Sequence, residues 1–496
     1  MMPLSENCIL VTGATGFLGK VVLEHLVRQH QALRVRKIII LIREKKGTDS
    51  QTRFRDTVSP SPCFSLLPSS WADIVEVVTG DLTAVNLGFD PVTYKRLCSE
   101  ITHIIHCAGC VKFHLSLAEA AEANISTVLS LLQFAQKCPH IKHFVNTSTA
   151  YVIPHCFGPV YETLAPLPGT AWELYQGMLS GRLSTKEVLH QSRLPNSYTL
   201  SKSVAEHLLV ARKGRVPLTI VRPSIISASW HHPFPGWIDS LSAFAGFLAA
   251  YGNGLLCVIN ADPQTILDII PVDEVATRLI GAALSLDGLP STSDEGVRIL
   301  YATASLLNGL PIQLICSQMT SHFARFKAES FRQPHVHYLG PHGIRFRIYD
   351  FIHQSVPLWM ATALSAIQGK SKQLYKLKSL RYGLSRLNHD FHYFTHRTFN
   401  FRPSIQLPDE FQPEVYLEVV LAGGPHKRYV QLQSTAGPRD AICGPEEHNN
   451  CSPDDFCKTS GQILPRLQHL RLQVGRLCPE FLGEAALGKH NADGSV

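Results

Sequence analysis

The 496-residue chain lacks any apolar stretch long enough to cross a lipid bilayer. Its longest apolar run, LSAFAGFLAAYG at residues 241–252, is well short of the roughly 20 residues that a transmembrane helix needs. We therefore predict no membrane-spanning helix. The first apolar strand begins by Cys8, which leaves no room for a signal peptide ahead of it. We expect an intracellular protein that is not secreted.

The chain also lacks a dense cysteine framework and a strong charge of one sign. Its 13 cysteines stand mostly singly in apolar runs, as Cys8 and Cys107 do, which is typical of free thiols in a reducing compartment. The spacing of Cys443, Cys451 and Cys457 matches none of the usual zinc patterns, so we predict no metal site. A formal charge of +7 is modest for this length. It argues against a nucleic-acid partner and is compatible with anionic cofactors or lipid headgroups.

What the first part of the chain does have is a series of short β-branched runs separated by helical periodicity. These runs are NCILVTG, RKIIILIR, IVEVVTGD, ITHIIHCAG, KHFVNTSTAY and PLTIVRPSII. Strands that are apolar on both faces and alternate with helices are typical of a parallel sheet covered on both sides. The pattern predicts an α/β protein with a doubly wound parallel sheet, the Rossmann fold.

The length of the chain predicts more than one domain, because a single core stops growing below this size. We assign residues 1–340 to a nucleotide-binding domain with capping insertions, such as the weakly periodic segment 150–196. Strands become rare past about residue 345, so residues 341–432 are predicted to form a smaller, mainly helical C-terminal domain. Residues 433–496 are rich in Gly, Pro, Asn and Asp, as in a linker or disordered tail.

The tail contains one periodic segment, ILPRLQHLRLQVGRLCPEF at residues 463–481. Its apolar residues recur at helical spacing beside three arginines. Such a basic amphipathic helix either lies in the headgroup region of a membrane or packs on the protein's own helical domain. The first interpretation predicts peripheral contact with the cytosolic face of a membrane, such as the endoplasmic reticulum or the peroxisome.

A glycine-rich loop directly follows the first strand, in VTGATGFLGK. Gly13 allows a tight turn, Gly16 lets the backbone approach a pyrophosphate, and Gly19 allows close packing of helix and strand. The loop and first helical turn therefore predict a dinucleotide site that also includes Thr15, Phe17 and Leu18.

The second strand ends on Arg43, where a cofactor without the extra phosphate usually meets an acidic residue. Arg43 and Lys46 could hold a ribose 2′-phosphate, which favours NADPH over NADH. Other cofactor contacts are predicted where the following strands end, the edge at which open α/β sheets bind ligands. Asp81 could accept from the adenine amino group, and the remaining candidates are Leu82, Ala108, Gly109, Pro223, Ser224 and Ile225.

The segment PNSYTLSKSVAEHLL sets Tyr198 four residues before Lys202 on one face of a predicted helix. A neighbouring ammonium lowers the pKa of a phenol, which would help Tyr198 donate a proton to a substrate oxygen. Thr149, or else Ser148, stands at the end of the fifth strand and could hydrogen-bond the same oxygen. The glycine loop, the hydroxyl and the Tyr-x-x-x-Lys helix follow the order found in extended short-chain dehydrogenases/reductases.

The chain resembles the alcohol-forming fatty acyl-CoA reductases. The resemblance is carried by GATGFLG, LIREKKG, GDLTAVNLGF, IIHCAGCVKFH, STAY, PNSYTLSK, VRPSIISASWHHPFPGWIDS and DIIPVDEVA, and more weakly by FTHRTFNF and EVYLEVVLAGGPHKRYVQL. Together these motifs span about residues 6–432. The chain departs from the family in having Ala108 and Gly109 where two alanines are usual, and in lacking an Asn-Pro pair around Asn308.

The resemblance implies that a long-chain acyl-CoA is reduced by NADPH through an aldehyde to a primary fatty alcohol. It also implies that Lys202 holds the nicotinamide ribose. Three alternatives stay open: an aldehyde-forming thioester reductase, a sugar-nucleotide or steroid dehydrogenase, and a nucleotide-sensing scaffold without catalysis. The sequence does not indicate an oligomeric state.

Overall fold

The computed structural model describes residues 6–45, 47–240, 243–288, 296–325, 333–367 and 383–423. These residues fall into two compact units. The first unit comprises the described residues within 6–245, 264–312 and 393–423, and the second comprises those within 246–263 and 313–392. Lys46, the three cysteines considered as metal ligands and the segment 463–481 lie outside the described residues.

The first unit is built on a sheet of seven parallel strands. In chain order the strands are β1 (Asn7–Thr12), β2 (Val35–Ile42), β3 (Val75–Thr79), β4 (His103–His106), β5 (His143–Thr147), β6 (Leu218–Pro223) and β7 (Val297–Ala302). Their order across the sheet is β7-β6-β5-β4-β1-β2-β3. The order reverses between β1 and β4, and ligands bind at such a switch point in doubly wound sheets.

The central strands are buried because both of their faces are covered. Every residue of β4, β5 and β6 is buried, and so are Cys8 to Thr12 of β1. Side chains from the sheet and its helices form one continuous apolar core that includes Leu10, Ile104, Phe144 and Ile220. This pattern confirms the predicted doubly wound α/β fold.

The helices longer than four residues lie between and after these strands. They are α1 (Phe17–Arg28), α2 (Pro91–Glu100), α3 (Leu117–Ala121), α4 (Thr127–Lys137), α5 (Ala171–Leu179), α6 (Thr185–Ser192), α7 (Ser197–Arg212), α8 (Ala243–Gly252), α9 (Val272–Leu284), α10 (Ile312–Arg325), α11 (Ile344–Tyr349), α12 (Val356–Ile367) and α13 (Pro413–Gly423). A π-helical turn at Glu122–Ser126 joins α3 to α4, and another at Asp350–Ser355 joins α11 to α12.

Residues 383–390 are also helical, and shorter elements complete the described residues. Helical turns lie at Ser50–Arg53, Phe54–Val58, Pro62–Phe64, Trp71–Ile74, Val85–Gly88, Ala150–Val152 and His392–Thr395. Within the first unit, short strands pair as Pro159–Val160 with Asn400–Phe401, Ile225–Ser227 with Ile269–Pro271, and Ile266–Leu267 with Leu310–Pro311. Within the second unit, Val258–Asn260 pairs with Tyr338–Gly340.

Two features differ from the sequence-based prediction. The run PLTIVRPSII forms two strands, because the chain leaves the main sheet after Pro223 and Ile225–Ser227 joins a separate pair. The segment 150–196, predicted as a weakly periodic capping insertion without an assigned helix, contains α5 and α6. Among the described residues, no helix is both long enough and apolar enough to span a membrane.

Candidate active site

The glycine-rich loop has the geometry of a phosphate cradle. Gly13 has a φ of +80°, and a Cβ atom there would lie 2.7 Å from the backbone nitrogen of Ala108. A Cβ at Gly19 would lie 2.1 Å from the carbonyl oxygen of Gly13. Side chains at these two positions would therefore destroy the close contact between β1, β4 and the start of α1.

The start of α1 is suited to an anion. Gly16 caps the helix without a side-chain hydrogen bond, and no acidic residue occurs in the first turn. The N–H groups of that turn and the helix dipole both favour a phosphate here. Thr15, Phe17 and Leu18 are half-buried beside this end of the helix. These residues fit the pyrophosphate of a dinucleotide.

A loop that sequence reasoning did not assign to the site contacts the first turns of α1. The ring centroid of Trp237 lies 5.4 Å from that of Phe17, and the Lys20 ammonium donates to the carboxylate of Asp239 at 2.5 Å. Both partners of this ion pair are largely buried. We call residues 229–240, which carry Trp237 and Asp239, the anchored loop.

The anchored loop is held by the carboxylate of Asp273, the third residue of the PVDEV motif. This carboxylate accepts hydrogen bonds from the backbone N–H groups of Trp230, His231 and His232 at 2.8, 2.7 and 3.0 Å. Asp273 is only 6% exposed, so little water competes for these bonds. The sequence motifs HHPFPGWIDS and PVDEV contain the loop residues and Asp273, but the sequence alone did not predict the hydrogen bonds between them.

The end of the second strand brings two of the predicted cofactor residues together. The Arg43 guanidinium lies 3.8 Å from the Asp81 carboxylate, and both side chains keep substantial solvent contact. The other carboxylate oxygen of Asp81 accepts from the N–H and the hydroxyl of Thr83. Leu82 is buried beside them. Arg43 is therefore accessible to an anionic group at this edge of the sheet.

Tyr198 and Lys202 lie on the first two turns of α7. Asn196 begins this helix by accepting a hydrogen bond from the Thr199 N–H at 2.9 Å. The Lys202 ammonium reaches across to the end of β5 and donates to the Thr147 carbonyl oxygen at 2.9 Å. The predicted helix thus brings Lys202 of the candidate catalytic pair to the carboxyl edge of the sheet.

The electrostatics of the pair differ from the expectation that Lys202 lowers the pKa of Tyr198. Burial raises the pKa of the Tyr198 phenol to about 12, and the hydrogen bond with Thr149 only partly offsets this. Burial also lowers the pKa of Lys202 to about 8, against the opposing effect of the Glu206 carboxylate. At both groups desolvation outweighs the opposing interaction, which is that of Thr149 for Tyr198 and that of Glu206 for Lys202, because each charged form loses its hydration.

The two candidate hydroxyls at the end of β5 have different surroundings. The Thr149 side chain lies close enough to the Tyr198 phenol to lower its pKa. The Thr149 hydroxyl also accepts from the Tyr151 N–H at 3.4 Å. The Ser148 hydroxyl is buried without a hydrogen-bond partner among the described residues. Of the two candidate hydroxyls, Thr149 is the one with an interaction with Tyr198.

The loop after β4 passes directly over Lys202. A Cβ atom at Gly109 would lie 3.1 Å from the Lys202 ammonium nitrogen and 3.3 Å from Oδ1 of Asn124. Asn124 fixes this loop, since its Oδ1 accepts from the Cys110 N–H at 2.9 Å and its amide donates to the Ser201 hydroxyl at 3.0 Å. Ala108 is half-buried next to Gly109. Asn124 was missed because a single Asn inside a helical pattern carries no spacing signal.

The residues predicted after β6 have structural partners of their own. The Ser224 hydroxyl donates to the buried carboxylate of Asp268 at 2.5 Å, and the Ile225 N–H donates to the Asp268 carbonyl oxygen at 3.2 Å. Pro223 is buried as the last residue of the strand. Ile225 keeps a partly exposed surface. In this structure the Ser224 hydroxyl is therefore engaged with Asp268.

Aromatic side chains form an apolar wall beside Tyr198. The ring centroid of Phe113 lies 6.0 Å from that of Tyr198 and 5.9 Å from that of Phe394. Phe394 in turn lies 4.8 Å from Tyr151, which directly follows the STA segment. Phe394 is almost 200 residues away from Tyr198 in the chain, so no local pattern could have predicted it here.

Comparison with known proteins points to one family. The family model described as male sterility protein matches residues 11–279. Fatty acyl-CoA reductase 2 of Mus musculus is 31% identical over 368 residues, which cover 70% of this chain and 70% of that protein. Fatty acyl-CoA reductase 1 of Gallus gallus is 29% identical over 379 residues, covering 74% of this chain and 71% of that protein.

A solved structure supports the fold alone. The terminal R domain from the myxalamid PKS-NRPS biosynthetic pathway matches with a TM-score of 0.58 at 19% identity, covering 88% of this chain and 94% of that chain. The family match and the sheet with its glycine loop define an oxidoreductase that binds a nicotinamide cofactor. Within that class, the chain belongs to the fatty acyl-CoA reductase family.

Proposed function

We propose that this protein reduces long-chain acyl-CoA thioesters with NADPH, through an aldehyde, to primary fatty alcohols. The observation that carries the proposal is the meeting of Thr149, Tyr198 and Lys202 beside the glycine-rich loop. The names of the curated relatives supply the substrate class.

The proposed chemistry begins with the thioester carbonyl oxygen near the hydroxyls of Tyr198 and Thr149. When bound, the nicotinamide supplies a hydride to the carbonyl carbon. Tyr198 donates a hydrogen bond or a proton to the oxygen as negative charge develops there. Its raised pKa suits a donor, because the phenol stays protonated throughout the physiological pH range.

The reduced thioester is a hemithioacetal, which breaks its C–S bond to release the CoA thiol and leave an aldehyde. Thr149 and Tyr198 can hold the aldehyde oxygen as they held the thioester oxygen. A second reduction by the same route gives the alcohol. Each of the two steps consumes one hydride and one proton, so one thioester requires two molecules of NADPH.

The preference for NADPH rests on Arg43. Its guanidinium is accessible at the end of β2, where a ribose 2′-phosphate would be expected. A planar guanidinium can bind a phosphate through two parallel hydrogen bonds. Lys46 is the second proposed phosphate contact.

The apolar wall formed by Phe113, Phe394 and Tyr151 supports a substrate with an aliphatic chain. A sugar substrate would need polar side chains to bond its hydroxyl groups, and Phe113 and Phe394 supply none. This contrast favours an acyl substrate over a sugar nucleotide. An aldehyde-forming reductase would use the same residues, and only the product distinguishes the two.

The test is to incubate the purified full-length protein with NADPH and acyl-CoAs of graded chain length, and to identify the lipid products. We expect primary alcohol with two NADPH consumed per CoA released. A ratio of one, with aldehyde accumulating, would support the aldehyde-forming alternative instead. No turnover of any acyl-CoA would refute the proposal.

Replacing Tyr198 tests the site itself. We expect Tyr198→Phe to lower kcat on the order of a hundredfold or more, because the proton donor is lost. Tyr175→Phe is a matched control, because the Tyr175 hydroxyl also forms a hydrogen bond with a hydroxyl group, that of Ser126, at 2.8 Å. Near-normal turnover by Tyr198→Phe would exclude Tyr198 as the donor.

A further inference from the structure

The second unit carries an exposed apolar surface that the proposed reaction does not use. Residues 344–367 are helical throughout, as α11, a π-helical turn and α12. We call the exposed apolar side chains of this segment the apolar stripe. Its members are between 39% and 82% exposed: Ile344, Ile348, Phe351, Ile352, Trp359, Met360 and Ile367.

The apolar stripe is separate from the face by which the same helical segment packs on its unit. Phe346, Leu358 and Ala361 are buried, and Phe346 joins a cluster with Cys257 and Val258. The segment therefore already has an internal apolar face. A soluble surface rarely keeps a second contiguous one unless it binds something.

Positive charge borders the apolar stripe. Successive residues of a helix are turned by roughly 100°, so Arg345 and Arg347 lie on opposite sides of the line from Ile344 to Ile348. Both arginines are exposed. Asp350 is the one acidic residue between positions 341 and 367, and its carboxylate accepts from the side chains of Gln354 and Ser355.

The chain that follows has the same charge. Residues 368–382, which lie outside the described residues, contain four lysines and one arginine and no acidic residue. An apolar helix face with basic flanks is the arrangement by which helices lie in the headgroup region of anionic membranes.

We propose that the apolar stripe docks this protein on the surface of an anionic phospholipid bilayer. Ile348 and Phe351 enter the boundary between headgroups and acyl chains, while Arg345 and Arg347 contact phosphate and carboxylate groups of the lipids. This surface is distinct from the amphipathic tail segment 463–481. That segment also bears arginines, so like charge disfavours it as the occupant of the apolar stripe. Like charge also disfavours a second copy of the same face.

The experiment is flotation of the full-length protein with vesicles of phosphatidylcholine, with or without phosphatidylserine. We expect binding to the phosphatidylserine vesicles that weakens as salt is raised. Ile348→Asp and Phe351→Asp should each lower the partition coefficient about tenfold or more. Arg347→Gln should lower it about fivefold.

Matched controls distinguish membrane binding by the apolar stripe from nonspecific hydrophobic adsorption and from binding by the tail. Phe157 is fully exposed in the first unit, and Phe157→Asp should leave partitioning unchanged. Leu470→Asp perturbs the tail segment alone. If Leu470→Asp abolishes binding while Ile348→Asp does not, the tail is the anchor and the proposal is overturned.

A second measurement does not depend on the aspartate variants folding. Trp359 should enter the interface, so vesicles with brominated acyl chains should quench tryptophan emission, and Trp359→Phe should remove most of that quenching. Equal quenching in the variant would overturn the proposal. The proposal would also be overturned if the wild-type protein does not bind vesicles but forms a dimer that Ile348→Asp converts to a monomer, as measured by light scattering.

Discussion

Replacing Asp273 by Asn should weaken cofactor binding from a position outside the cofactor site. In the structure one carboxylate oxygen accepts from the Trp230 N–H, and the other accepts from both His231 and His232. Asparagine keeps one acceptor oxygen, and its NH₂ group would face N–H donors. At least one charge-assisted hydrogen bond is lost. In the more favourable orientation of the amide, its oxygen keeps the bonds from His231 and His232, and the bond from Trp230 is lost.

The size of the effect follows from the number of bonds. A hydrogen bond to a charged group contributes about 1.5–3 kcal/mol, and the repulsion between donors adds to the loss. The anchored loop can relax toward solvent, so we take the lower end, about 1.5–2 kcal/mol. Because the loop contacts Phe17 and Lys20 of α1 through Trp237 and Asp239, its displacement disturbs the proposed phosphate cradle. The KM for NADPH should rise about tenfold or more.

The assay is steady-state kinetics with NADPH varied at saturating acyl-CoA, together with thermal unfolding. Asp273→Asn should change KM for the cofactor far more than kcat. Asp239→Asn removes the ion pair with Lys20 and should act in the same direction. If the two changes act through the same loop, the double variant will show less than the sum of the two single effects. A variant that is folded, with unchanged KM for NADPH, would refute the coupling of the loop to the cofactor site.

Three further predictions concern the cofactor and the catalytic lysine. Arg43→Ala should weaken binding of NADPH about tenfold more than binding of NADH, measured by fluorescence titration; equal losses would show that Arg43 does not contact the 2′-phosphate. Gly13→Ala should abolish cofactor binding and destabilise the fold, because a side chain at a φ of +80° would also collide with the Ala108 backbone; a folded variant that binds cofactor would contradict this. If the charged form of Lys202 is required, kcat/KM should fall as the pH rises above about 8, because the ammonium form predominates only below that pKa. A fall in kcat/KM near the ordinary lysine pKa of 10.5 would contradict the effect of burial.

The sheet could be predicted from the sequence because its central strands consist mostly of apolar and β-branched residues. Six of the seven strands are runs of β-branched and apolar residues that stand out at any position in the chain. The seventh, Val297–Ala302, was not predicted. It contains Arg298, whose buried guanidinium is paired with Asp287 at 3.0 Å. Arg222 is likewise buried in β6, but β6 was predicted because its run extends as PLTIVRPSII, whereas the shorter run VRILYA was not recognised once Arg298 interrupted it. Only the three-dimensional structure supplies the partner that makes the burial of Arg298 acceptable.

The candidate site was predictable to the extent that each part depends on neighbours in the chain. The glycine spacing and the pairing of Tyr198 with Lys202 are local, so the sequence contains them. The bonds that hold those parts are not local. Asn124 reaches Ser201, and Asp273 reaches back to residues 230–232, over about 40 to 80 residues of intervening sequence. A single sequence does not show which polar residues meet over such distances.

The pKa values of Tyr198 and Lys202, like these long-range contacts, could not be predicted from the sequence. Spacing four residues apart predicted that Tyr198 and Lys202 share a helix face, which is the geometry observed. It also suggested that the ammonium would make the phenol more acidic. In the structure Lys202 donates to the Thr147 carbonyl oxygen, and burial shifts both pKa values toward the neutral forms. The sign of a pKa shift depends on how much water the fold removes, and that is set by side chains from β4, β5 and the loop at Gly109. Because burial raises the pKa of Tyr198, its phenol holds the proton more tightly than a free tyrosine, and we expect the proton to move only as negative charge develops on the substrate oxygen.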